Sequence, residues 1–219
     1  MCFIKKIFFV VLITFIALIN LYAENINKDD DILAKYQNNK KVQQLICVRH
    51  ISGSSAVLNM YVKDKNKKFN RKPVLTANAF IGKNGIGKTS EGDLKTPCGI
   101  FGVTKAFGIK ANPGTKLKYI NVTENLYACD EDCKYYNQII NSQKTKHNCK
   151  GEHLIDYVPQ YNYAICIDYN DKNIYPKGSN IFIHVKGKKD YTAGCIALDE
   201  ESMLTLIKNS TKKTKVYIY

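Results

Sequence analysis

From Leu45 onward the chain reads as short apolar runs rich in Val, Ile and Tyr, at residues 45–51, 56–62, 74–81, 100–104, 163–169, 180–185 and 215–219. Gly, Asn, Asp and Lys separate them, and runs of this length between turn formers predict β-strands. One helix is signposted. Asp199 stands as its N-cap, Glu200 and Glu201 occupy the first turn, and Met203, Leu204, Leu206 and Ile207 make an apolar face. Upstream the texture differs: residues 24–44 are polar, with Ile32, Leu33 and Tyr36 at helical spacing, and predict a linker or a short leading helix. The fold class expected is therefore β-rich α+β, a single domain over residues 45–219 built on a mixed β-sheet or sandwich with a few short helices.

Residues 1–23 change the picture of where the protein works. Lys5 and Lys6 precede an apolar run from Ile7 to Leu21, and Leu21-Tyr22-Ala23 offers a small residue for cleavage, so the segment predicts a signal peptide. An uncleaved N-terminal anchor is the alternative, because the run approaches the length that spans a bilayer. Both readings place the rest outside the cytoplasm, in the periplasm or cell wall.

Of the formal charge of +14, two lysines belong to that segment, leaving 31 basic against 19 acidic residues, or +12. Such a surface favours polyanions, which outside a bacterial membrane are anionic lipids, wall polymers or peptidoglycan carboxylates. Arg49 and Arg71 are the only arginines. Arginine is the usual residue for bidentate phosphate and base recognition, so no nucleic-acid partner is expected. Seven cysteines follow residue 23, at 47, 98, 129, 133, 149, 166 and 195. The odd number leaves a thiol without an intramolecular partner. Six can pair in an oxidising compartment, with Cys129, Cys133 and Cys149 close enough to staple a loop.

Gly82-Lys83-Asn84-Gly85-Ile86-Gly87-Lys88-Thr89 fits the phosphate-loop pattern G-x-x-x-x-G-K-[ST] after a predicted strand, and 164–168 supply an apolar run ending in Asp168. A phosphate loop needs a helix beginning at the lysine, whose free amides hold the phosphates. Gly92, Asp93, Pro97 and Gly99 follow instead and forbid one. Consecutive turns are expected there, with no nucleotide and no other cofactor.

The segment 181–198 carries the candidate chemistry. The apolar strand Ile181-Phe182-Ile183-His184-Val185 ends at a histidine, a polar loop follows, and Thr192-Ala193-Gly194-Cys195 opens the next apolar stretch. Side by side, the two strands bring imidazole to thiol, and an adjacent imidazolium lowers a thiol pKa. Gly194 removes a side chain where a carbonyl must approach, and amides at Gly194 and Cys195 are the candidate oxyanion donors. A small buried cysteine and a satisfied buried histidine are the bland reading of the same pair.

His184 followed by Thr192-Ala193-Gly194-Cys195 resembles the active-site signature of the L,D-transpeptidases (YkuD type), a histidine ahead of a [ST]-x-G-C nucleophile. Seven earlier blocks resemble a branch of that family in order: Gly82-Lys83-Asn84-Gly85, Glu91-Gly92-Asp93, Thr96-Pro97-Cys98-Gly99-Ile100-Phe101, Ala106-Phe107-Gly108, Tyr135-Tyr136-Asn137, Glu152-His153-Leu154 and Tyr169-Asn170. The resemblance implies an L,D-transpeptidase-like domain in which Cys195 is the nucleophile, His184 the base, and Gly194 with Cys195 part of the oxyanion hole. It implies peptidoglycan stem peptides as partners and a thioester passed to an amine, or to water. Tyr191 and Thr192 are the candidate substrate-binding residues, although a turn accounts for Asp190 and Thr192 equally.

Two departures mark a divergent branch. Ala193 stands where better-known members have a second histidine, and Ile196 and Ala197 where they have an arginine; the spacing of eleven positions from His184 to Cys195 is also shorter. Alternatives from other classes are a non-catalytic basic wall-binding module, an L,D-carboxypeptidase and an ATPase. Cys129, Cys133, His147 and Cys149 can be assembled into a zinc site, but their spacing fits poorly and no metal is expected. His50 and His153 are expected to be structural, with Glu152-His153 near the cleft.

Overall fold

The computed structural model describes residues 28–145 and 151–219. The predicted export segment 1–23, together with His147 and Cys149, lies outside the described residues. Contacts divide the chain into Met1–Asn39 and Lys40–Tyr219. Within the first unit residues 28–36 form a helix, α1, with Ile32 and Leu33 buried. No helix among the described residues is long and apolar enough to cross a membrane.

The second unit is β-rich. Its strands are β1 (Gln44–Ser52), β2 (Ser55–Val62), β3 (Leu75–Phe80), β4 (Gly99–Gly108), β5 (Tyr119–Asn121), β6 (Leu126–Cys129), β7 (Gln138–Asn141), β8 (Glu152–His153), β9 (Ala164–Ile167), β10 (Phe182–Val185), β11 (Ile196–Leu198) and β12 (Thr214–Ile218). Among its described residues two α-helices accompany them, α2 (Ser142–Thr145) and α3 (Glu200–Asn209), with 3₁₀ turns at Leu154–Asp156 and Gln160–Asn162.

The large sheet runs β12-β1-β2-β3-β11-β10-β9-β4-β5, and β12 pairs with β4 as well as with β1. Eight of its nine strands thereby close a circuit, with β5 on the flank of β4. Closure removes the unpaired edges that an open sheet or sandwich would expose. All seven runs read from the sequence are strands here, because each carries apolar residues that one face must bury. Ile46, Val48, Leu58, Met60, Ile183, Ile196 and Val216 share one core cluster with Met203, Leu206 and Ile207 of α3. Asp199 caps that helix, its side chain accepting from the Ser202 amide at 2.8 Å. Leu204, placed on the apolar face by its spacing, is only half-buried.

A second sheet, β7-β6-β8, belongs to a separate cluster on the other face of β4, β9 and β10. That cluster joins Phe107, Ala164, Cys166 and Phe182 to Leu126, Ala128 and Leu154. β10 is buried on both faces, which explains why Phe182, Ile183 and Val185 do not alternate with exposed polar residues. The functional candidates stand between these two layers.

Candidate active site

β10 and β11 are parallel neighbours with His184 opposite Ala197, so Cys195 stands one step before β11. Ile183 and Ile196 face the main core, whereas Phe182 and Cys195 face the second cluster. Side chains alternate along a strand, so His184 and Cys195 share that second face. Both line a cleft of about 630 Å³ together with Glu152, Gln160, Tyr161 and Tyr191. The sequence spacing of the pair thus becomes a diagonal neighbour relation across two adjacent strands.

The sulfur of Cys195 accepts from the Phe182 amide at 3.3 Å and donates to the carbonyl of Asn180 at 3.3 Å. The Asn180 amide in turn donates to Asn137 Oδ1, and its side chain donates to the carbonyl of Cys129. The small sheet is tied in this way to the residue that holds the thiol proton. His184 Nδ1 lies 2.8 Å from the carbonyl of Val185, which can only accept. Nδ1 therefore carries the hydrogen, and Nε2 is left with its lone pair. The ring of Tyr161 meets the imidazole edge-on, with centroids 5.6 Å apart.

Burial decides the charge of this pair. It pushes the thiol of Cys195 well up, a nearby Glu152 charge adds to the rise, and the Phe182 amide and Lys88 oppose it. Burial also pulls His184 down from 6.5 to about 4, against the Val185 hydrogen bond. The imidazolium expected from sequence is therefore a neutral imidazole beside a neutral thiol, because charging either group in this setting costs its hydration.

The sign of the resulting pH dependence is fixed. An unfolded chain binds the His184 proton near pH 6.5 and the folded one only near 4. The neutral histidine therefore stabilises the fold fully above pH 6.5, and this is lost as pH falls toward 4, by about 3 kcal/mol in all. Glu152, raised from 4.5 to about 7 mainly by burial, acts in the opposite sense and is common to native protein and His184→Asn. Urea unfolding of the two should show the native protein gaining about 3 kcal/mol on the variant between pH 4 and 7; parallel curves would contradict it.

A buried frame holds the backbone at Cys195. Thr96 is fully buried; its hydroxyl donates to the carbonyl of Gly194 at 2.8 Å and accepts from the Gly82 amide at 2.9 Å. Thr192 donates from Oγ1 to the carbonyl of Cys195 at 2.7 Å and accepts from the Gly194 amide at 3.0 Å. Thr192 thus shapes the turn, and the Gly194 amide is engaged within it. Tyr191 lines the cleft, with the ammonium groups of Lys83 and Lys189 5.5 and 5.4 Å from its ring centroid.

Gly194 has φ +154, and a Cβ there would lie 2.9 Å from the carbonyl oxygen of Lys95 and 3.1 Å from Ile181 Cδ1. The protein's own backbone demands this glycine. Gly194→Ala should cost about 1–3 kcal/mol in urea unfolding and slow modification of Cys195; an unchanged midpoint would count against this packing.

The phosphate-loop pattern folds back on itself. The Asn84 amide donates to the carbonyl of Leu94, Gly87 to that of Thr96, and Thr96 to that of Gly85, each within 2.9 Å. No helix follows Lys88. Its ammonium, with a side chain 2% exposed, pairs with Asp93 at 2.9 Å. Asp93 also accepts from the amides of Thr89, Ser90 and Lys95. Burial would raise its carboxyl, but these hydrogen bonds prevail and hold it at about 2.

Two residues of this neighbourhood were not singled out as chemical groups from sequence. Glu152 accepts from the hydroxyl of Tyr161, and both line the cleft. The block Glu152-His153-Leu154 was the available signal. His153 itself is held by Asp156 at 2.8 Å, by the carbonyl of Glu124 at 2.7 Å, and by stacking on Tyr127, as a structural histidine would be. Cys129 is in a disulfide, and the sulfur of Cys133 makes a separate, non-covalent contact with it at 3.5 Å. Cys98, Cys166 and Cys195 are free thiols, so the full pairing of six cysteines is not formed. No group of three potential metal ligands occurs among the described residues.

No curated protein matches this sequence. A crystal structure of Mycobacterium tuberculosis L,D-transpeptidase 1 aligns with a TM-score of 0.37 at 12% identity, covering 80% of this chain and 61% of that one. The chain thus spans less than two thirds of that protein's length. The family model of the L,D-transpeptidase catalytic domain, YkuD, matches residues 50–218, from the end of β1 through β12 and across the whole cleft. The chain belongs to the L,D-transpeptidase catalytic-domain family.

Proposed function

We propose that this protein is an exported cysteine acyltransferase that cuts and rejoins peptidoglycan stem peptides, with Cys195 as nucleophile and His184 as base. The observation that carries the reading is the shared cleft: one thiol and one imidazole on the same sheet face, the imidazole with Nδ1 committed to Val185 and Nε2 free. Membership of the family supplies the substrate class.

A neutral pair works by general-base catalysis. The thiol turns its proton from the carbonyl of Asn180 to His184 Nε2, which takes it as Sγ bonds to the carbonyl carbon of the scissile amide. Collapse of the tetrahedral adduct expels the terminal D-amino acid, whose nitrogen takes that proton from His184. A thioester remains on Cys195. An amine attacking it gives a cross-link, water gives a shortened stem, and either returns a proton to the sulfur. The amide of Cys195 is the proposed oxyanion donor, since that of Gly194 is held by Thr192. The mature charge of +12 suits an anionic wall surface in the periplasm or cell wall.

Incubation with a carbapenem tests the nucleophile, and should add one inhibitor mass to the peptide containing Cys195. Folded protein left unmodified there would overturn the reading. Mass spectrometry of muropeptides separates cross-linking from hydrolysis.

A further inference from the structure

The cleft wall opposite in charge to the rest of this basic protein is formed by residues 152–161. Glu152 lies there without a cationic partner among the described residues; nearby charges pair elsewhere, Lys88 with Asp93, His153 with Asp156 and Lys186 with Asp190. Its one hydrogen bond is from the hydroxyl of Tyr161 to Oε2. Gln160 lines the same cleft, and its Oε1 is buried with no hydrogen-bond partner. Glu152 and Gln160 thus both belong to the lining of the cleft that holds Cys195, and each brings an acceptor there. Acceptors left unmatched away from bulk water cost stability unless something supplies donors, and a carboxylate without a counter-charge calls for a cation. An ammonium group offers three N–H donors and a positive charge in one small volume. A metal ion would need more ligands than are gathered here.

We propose that Glu152 and Gln160 form the subsite for the ammonium group of the incoming acceptor, and that Glu152 thereby selects an amine over water. The subsite rests on the acyl-transfer reading above and names its second substrate. The carboxylate of Glu152 takes one proton from the bound ammonium, freeing the nitrogen lone pair. That nitrogen attacks the thioester carbonyl, the C–S bond breaks, and the second proton passes through His184 to the departing sulfur. The products are the new amide, the Cys195 thiol and a proton on Glu152 that is later released to water. A carboxyl raised to about 7 by burial is suited to accept and release that proton near neutrality. Its charge also opposes ionisation of Cys195, so a bound ammonium would relieve that opposition.

The test uses the full chain and a stem peptide with a free side-chain amine as probe. Binding is measured by calorimetry on Cys195→Ala, with and without Glu152→Gln, so that no chemistry intervenes. At least tenfold weaker binding in Glu152→Gln, with partial recovery in Glu152→Asp, is expected; equal affinity in folded proteins overturns the subsite. In the turnover arm, with a tetrapeptide donor, Glu152→Gln should lower the ratio of amine to water products at least tenfold, raise the KM for the amine and speed carbapenem addition to Cys195. An unchanged product ratio also overturns the proposal. Absence of any adduct on native Cys195 would instead sink the acyl-transfer reading, and the binding arm would still decide whether an ammonium site exists.

Discussion

Cys195→Ser should leave a folded protein that transfers acyl groups at least about a thousandfold more slowly. The serine oxygen can keep both contacts of the sulfur, accepting from the Phe182 amide and donating to the carbonyl of Asn180, so the fold loses little. What it loses is nucleophilicity, because a neutral imidazole is a weak base for a hydroxyl, whose pKa lies far above that of a thiol. Melting curves of the two proteins should nearly coincide, while muropeptide products and the carbapenem adduct disappear. Product formation near the native rate in the serine variant would remove Cys195 from the chemistry.

Lys88→Met should be the most destabilising single change in the loop that braces Cys195. It leaves Asp93, whose side chain is 13% exposed, without the ammonium 2.9 Å away. Breaking a buried pair from one side costs about 3–5 kcal/mol. Three backbone amides still bond the carboxylate, which places the expected loss near the lower end, about 3 kcal/mol by urea unfolding. Adding Asp93→Asn should recover part of it, as the double-mutant cycle for a coupled pair requires. Lys88 also favours the ionised sulfur, so alkylation of Cys195 should slow in the single variant. A loss below about 1 kcal/mol would show that the pair behaves like an exposed one.

The elements that were legible from sequence share a physical cause. β1, β2, β3, β4, β9, β10 and β12 contain runs whose apolar content is recorded locally, and α3 carries its cap and its buried stripe within ten residues. β5, β6, β7, β8 and β11 have between two and four residues each. Segments so short carry no periodicity, and they are strands only because a neighbour offers hydrogen bonds. The site divides in the same way. Cys195 and His184 were legible because their separation is a single strand-loop-strand step, whereas Lys88 was hidden in a pattern that suggested phosphate. Glu152 and Tyr161 reach the cleft from a different layer of the fold.

Taken by itself, the amino-acid order determined which residue types were available and where chain reversal was compulsory: a thiol and an imidazole at the ends of two consecutive apolar stretches, and glycines where the backbone folds upon itself. Only the tertiary structure decided their state. Closure of the large sheet and coverage by the small one bury His184 and partly bury Cys195 and Glu152, and the cost of desolvating a charge then sets which of them is ionised. Burial is a sum over contacts distant in sequence, so no local pattern records it.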